Sequence, residues 1–177
     1  MIRIKIFIVL LFVFAAPYSY AQVQKITANI GTGDIKGGLY PLGISVGKIL
    51  NMNAKIHGVQ PNVTATDGSV YNINAVISGE LTIGLAEADT QYRAYNGLGE
   101  WEGAPQLELR ALFSLTPEYI QLIVSEKSKI KTLMDLKGKK INAGLDGSGA
   151  KEDALAVMAS YNFDNTTTEI SGISLSD

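Results

Sequence analysis

Four short loops hold most of the residues able to do chemistry in this chain. They are Gly31-Thr32-Gly33, Asp67-Gly68-Ser69, Glu87-Ala88-Asp89 and Gly147-Ser148-Gly149. Three of the four feed straight into a segment with helical periodicity, where free backbone N–H groups and the helix dipole favour an anion. A small solute carrying a carboxylate suits such a set. Taken singly, each loop has a plainer reading: glycine supplies a turn and serine caps a helix. Four such loops at one edge of one sheet outweigh it. Glu87 and Asp89 offer a second chemistry, as general acid and base. A carboxylate at a helix start, however, is more often a favourable partner for the dipole.

Other chemistries are excluded by composition. The sequence has no cysteine and a single histidine, His57. There is thus no thiolate metal site, no multi-histidine metal site and no disulfide framework. His57 lies between a short polar stretch and Gly58 and reads as a solvated loop residue. The glycine-rich stretch Gly31–Gly38 lacks the Gly-Lys-Ser/Thr ending of a phosphate loop and does not continue into a dinucleotide fingerprint. No cofactor and no catalytic residue is expected.

The elements that must position these loops alternate along the chain. Strand-like segments are Ile26–Ile30, Asn62–Ala65, Leu81–Ala86, Leu107–Ser114, Tyr119–Ser125 and Lys140–Ala143. Helical spacing appears over Tyr40–Asn51, Val70–Ile77, Asp89–Tyr95 and Ala150–Tyr161, with a brief helical turn at Leu133–Leu136. Leu42, Val46, Ile49 and Leu50 define the first helix, and Gly79 stops the second. Such alternation predicts an α/β fold with a mostly parallel sheet. The wholly apolar run Leu81–Ala86 fits a strand covered on both faces. In such sheets ligands bind beyond the carboxyl ends of the strands, where the four loops fall.

The first residues address the chain. Arg3 and Lys5 precede an apolar run from Ile6 to Ala16, Pro17 interrupts it, and Ser19-Tyr20-Ala21 offers small residues for cleavage. That is the layout of a secretory signal peptide. The run is too short for a hydrocarbon core that needs about 20 residues. The mature chain is expected to begin at Gln22 and to be periplasmic. Removal of Arg3 and Lys5 leaves 13 basic residues against 17 acidic ones, a formal charge of −4. Nothing here is basic enough for nucleic acid.

At family level the motifs resemble those of solute receptors of the TAXI subfamily of tripartite ATP-independent periplasmic (TRAP) transporters. The stretch from Gly31 to Gly43, GTGDIKGGLYPLG, is similar to their opening motif. Thr66-Asp67-Gly68-Ser69-Val70-Tyr71-Asn72-Ile73 and the run from Ala86 to Gly97 resemble the motifs that follow. Asp135-Leu136-Lys137-Gly138 and Gly144-Leu145-Asp146-Gly147-Ser148-Gly149 resemble the start of a second lobe. The likeness runs from Ile26 to about Phe163. It implies a periplasmic-binding-protein-like (type II) two-lobed fold that closes over its ligand and passes it to a membrane permease driven by an ion gradient. The ligand-facing residues it implies are Thr32, Gly33, Tyr40, Ser69, Asn72, Ser148 and Lys151. Two departures stand out. Asp34 replaces a usual glycine, and Ala150-Lys151 replaces a common Thr-Arg, exchanging a bidentate fork for a point charge.

On this reading residues 1–21 are the signal peptide, 22–116 the first α/β lobe, and 117–177 a crossover with a partial second lobe. Family precursors are much longer than 177 residues, so the second lobe is expected to be incomplete and the chain a fragment. The function expected is capture of a small carboxylate, glutamate-like or another organic anion, for a TRAP-type permease. A ligand-sensing domain of a signalling protein is the alternative, and an enzyme using Glu87 and Asp89 a more distant one.

Overall fold

The structure is a computed structural model describing residues 23–163 and 167–173. The signal-peptide reading falls on residues outside that range. Strand β1 (Ile26–Gly31) leads through a glycine-rich loop to helix α1 (Leu39–Met52), a short α2 (Ala54–His57) and strand β2 (Val59–Thr64). Helix α3 (Ser69–Ser78), strand β3 (Ile83–Gly84) and helix α4 (Ala88–Asn96) follow. Further on come β4 (Lys140–Asn142), α5 (Gly149–Ser160) and β5 (Glu169–Ser171).

The strands form two parallel sheets, which makes the chain a mixed α/β structure compatible with a periplasmic-binding-like fold. The first has the order β2-β1-β3, with Ile30 of β1 opposite Val63 on one side and Ile83 on the other. The second pairs β4 with β5, Ile141 opposite Ile170. Parallel neighbours need a crossover, and α1 and α3 supply it in the first sheet. Helix α1 lies tightly on the sheet because Gly43 and Gly47 face Thr32, Val63 and Pro61, where a methyl group would collide. Pro61 is tolerated because β2 is an edge strand.

The buried apolar side chains gather in two clusters, one among α3, α4 and Trp101 and one around the second sheet. Val70, Ile73, Ala94 and Trp101 pack together, flanked by Ala86 and Leu109. Leu136, Met158 and Phe163 form the second cluster with Ile130, Leu133, Ile141 and Ile170 around them. The indole N–H of Trp101 donates to Asn74 Oδ1 at 2.9 Å, so the buried ring has its polar edge satisfied. Among the described residues no helix is long and apolar enough to cross a membrane.

Two expectations are corrected. Residues 107–114 and 119–125 form no strand, although their composition is β-rich. A strand requires a partner ladder, and neither segment meets a pairing edge among the described residues. Leu112, Phe113, Tyr119, Ile120 and Ile123 are exposed as a result. The expected strand over 81–86 shrinks to Ile83–Gly84. Leu81 and Leu85 are nevertheless buried on either side of it.

Candidate functional site

The carboxyl end of the first sheet meets the start of α5. Helix α3 is preceded by its N-cap Gly68, whose φ of 115° excludes ordinary side chains. A Cβ there would also stand 3.2 Å from the Cα of Ser148. This close approach lets the Gly147 carbonyl accept from the backbone N–H of Val70 at 2.9 Å and of Tyr71 at 3.3 Å. Two free donors of the α3 N-terminus thus converge on one oxygen supplied by the loop before α5. That loop is itself capped: Ser148 Oγ donates to the Leu145 carbonyl at 2.7 Å and accepts from the Lys151 N–H at 3.2 Å.

Beneath this contact lie the residues singled out in the sequence. Asn72 is fully buried. Its amide donates to the carbonyls of Thr32 at 2.6 Å and Leu85 at 2.7 Å, and its Oδ1 accepts from Thr66 Oγ1 at 2.8 Å. One side chain therefore ties the segments leaving β1, β2 and β3. Thr32, also fully buried, donates through Oγ1 to the Thr64 carbonyl at 2.8 Å. Ser69 Oγ accepts the Glu87 N–H at 3.1 Å, fastening α3 to the start of α4. Gly33 is buried, and its carbonyl accepts from the Thr66 N–H at 3.2 Å. Thr32, Gly33, Ser69 and Asn72 thus sit together below the Gly147 contact, with Ser148 above it. Tyr40 is half-buried in the first turn of α1. Lys151, in the first turn of α5, is ion-paired with Asp146. Asp34, the departure in the first loop, accepts the Lys36 N–H at 2.9 Å and so shapes its own turn.

Beside the loop after β2 is a polar cleft of about 380 Å³, lined in part by Asn62, Thr66, Asp67, Tyr71 and Glu80. Tyr71 donates its hydroxyl to Glu80 at 2.9 Å, and that carboxylate holds the phenol above its ordinary pKa. Two carboxylates on its wall make this cleft a poor host for an anion.

A cluster of carboxyl groups is the feature that sequence reasoning only half found. Glu87 and Asp89 were legible at the α4 start; Asp153 and Arg93 were not. One oxygen from each of Glu87, Asp89 and Asp153 lies within 4.8 Å of the others, and no second grouping of this kind occurs among the described residues. Glu87 packs against Gly149 so closely that a Cβ at that position would overlap its carboxyl group. Its Oε2 is buried with no hydrogen-bond partner. Burial, followed by repulsion from Glu118, Asp153 and Asp89, pushes the Glu87 carboxyl up to about 8, while Arg93 opposes the rise. Burial and a hydrogen bond with Asp89 push Asp153 up to about 6. Arg93 pairs with Asp89 at 3.1 Å and reaches Glu152 at 4.0 Å. The one available hint in the sequence was the Gly149-x-x-x-Asp153 spacing, which places both residues on one face of α5.

Two parallel sheets, glycine-bearing loops at their carboxyl ends and helix N-termini facing between them are the parts from which a small-molecule receptor is built. A comparison with protein families agrees: the profile described as the NMT1-like family matches residues 30–177. The chain belongs to the NMT1-like family, which falls within the periplasmic solute-binding, ABC-type substrate-binding group.

Proposed function

We propose that this chain is the solute-capturing receptor of a TRAP-type uptake system of the TAXI kind, exported to the periplasm, and that its solute is a small carboxylate. The observation that carries this reading is the pair of backbone donors, Val70 and Tyr71 N–H, aimed at a single oxygen from the facing loop. A solute carboxylate has the same acceptor chemistry and adds a charge that the α3 dipole favours. In this reading the two sheets belong to the two lobes of a type II receptor. The solute displaces the Gly147 carbonyl, and Ser148 with Lys151 closes over it from the second lobe. Ser69, Asn72, Thr32 and Gly33 hold the donors in place from below. Glu87 is closed off by Gly149 instead of facing a cleft, which favours a binder over an enzyme.

Calorimetric titration with glutamate and with small dicarboxylates, beside their methyl esters, tests the ligand class. Carboxylates are expected to bind and esters to fail. Ser69→Ala, which removes the acceptor that positions the α3–α4 junction, is expected to weaken binding by roughly tenfold or more. Equal binding of acids and esters would reject the anion site. Uptake into vesicles carrying the cognate permease separates the transport classes. It should collapse when the ion gradient is dissipated and persist without ATP; the reverse would indicate an ATP-driven partner.

A further inference from the structure

We propose that Glu87 and Asp153 form a proton-operated latch: with both neutral, α5 and its leading loop stay docked on α3 and α4, and with both ionised, they are released. This goes beyond the solute reading and holds whatever ligand the freed donors take.

The geometry supports it from three sides. First, the docked face is made of contacts that ionisation would disturb. The Glu87 carboxyl lies directly on Gly149, the first residue of α5. Asp153, one turn further along, brings a carboxyl oxygen within 4.8 Å of one from Asp89 at the start of α4 and one from Glu87. Carboxyl groups gathered this closely repel one another when all are ionised, and protonation of some of them relieves that repulsion. Second, the buried Oε2 of Glu87 has no donor, and a charged oxygen in that position would be neither solvated nor paired. Third, the surroundings offer little compensating charge. The groups facing Glu87 are Asp89 and Arg93 on α4, Glu118 from the segment after it, and Asp153 on α5. Glu152, also on α5, shares Arg93. A single guanidinium therefore stands among five carboxyl groups, so full ionisation leaves strong mutual repulsion across the α4–α5 contact. The raised pKa values of Glu87 and Asp153 agree with this picture and locate the transition near neutral pH.

Release has a defined consequence. The Gly147 carbonyl lies two residues before Gly149 and occupies the Val70 and Tyr71 N–H groups. When the start of α5 moves away, those donors are uncovered. The latch thus couples the proton concentration to the availability of the α3 N-terminus.

The sequence lacks cysteine, so introduced pairs label cleanly. Spin labels at Tyr92→Cys, exposed on α4, and Ala159→Cys, exposed on α5, report the separation of the two helices in the full chain with no solute added. A single short distance is expected at about pH 5, with a longer one rising to the majority by about pH 9. Glu87→Gln combined with Asp153→Asn should keep the short distance throughout, and each single substitution should shift the transition. A wild-type distance that does not change with pH would overturn the latch, and so would a double variant that opens like the wild type. Millimolar calcium at about pH 9 is expected to leave the long distance unchanged. Its return to the short one would replace the proton by a cation as the closing agent.

Discussion

Replacing Glu87 by glutamine isolates the energetic cost of the buried carboxyl. In the folded chain its pKa rises from 4.5 to about 8. Between those values the folded protein keeps a proton that the unfolded chain has released, so stability falls as pH rises through this window. Below about 4.5 both states are protonated and the penalty is absent; above about 8 it is fully present. At 1.36 kcal/mol per pH the interval corresponds to about 5 kcal/mol. Glu87 keeps some contact with water, and screening reduces this to about 2–3 kcal/mol. Glutamine has nearly the same shape and no charge, so Glu87→Gln should match the wild type at about pH 4.5 and exceed it by about 2–3 kcal/mol at about pH 8.5. The pH dependence left in the variant should come mainly from Asp153 and be confined to the range between 3.8 and about 6. Urea unfolding followed by the fluorescence of Trp101, the single tryptophan, measures both chains across pH. A stability difference that stays constant with pH would refute the reasoning, because it would place the effect of the substitution in packing and not in charge.

Two further substitutions test the supports of the site. Asn72→Ala removes three hydrogen bonds and leaves the buried ends of β1 and β3 without a donor, so a loss of about 2–4 kcal/mol is expected by the same urea assay. A loss below about 0.5 kcal/mol would show that Asn72 is not the tie between the strands. Gly149→Ala should favour α5 by helix propensity, by about 1 kcal/mol, yet its Cβ overlaps the Glu87 carboxyl. The net expectation is a loss of about 1–3 kcal/mol at about pH 5. The pH dependence should also weaken, since a displaced Glu87 returns to water. A variant as stable as the wild type with unchanged pH dependence would place Glu87 elsewhere.

The first sheet was legible because its signals are local. Helix α1 is written in the spacing of Leu42, Val46, Ile49 and Leu50, and α3 ends at Gly79, whose φ of 82° is the left-handed stop the sequence announced. Strand β2 was read too short at its start, because Pro61 argues against a strand in general and only an edge position excuses it. The segments 107–114 and 119–125 failed for the opposite reason. Their apolar, β-branched composition states a preference for extended backbone, but pairing is a property of the neighbour and not of the segment. Leu112 and Ile123 are hydrophobic by type and exposed in fact.

The candidate site was legible as a set of loops but not as a set of roles, and hydrogen-bond satisfaction explains the gap. Ser69, Asn72 and Thr32 stand where the loop motifs put them, at the carboxyl end of the sheet. Burial there obliges each polar group to find a partner. They find it in the chain itself: Asn72 in Thr32, Leu85 and Thr66, Ser69 in the Glu87 N–H, Thr32 in Thr64. What remains directed outward is backbone, the Val70 and Tyr71 N–H groups, and no side-chain motif names a backbone donor. The same logic, inverted, exposes Glu87. Its Oε2 is buried and finds no partner, and the residue packed on it is a glycine brought in from α5, 62 positions along the chain, where a side chain would collide with it. A group left unsatisfied where the start of α4 meets the start of α5 is a point at which a proton can decide whether that contact holds.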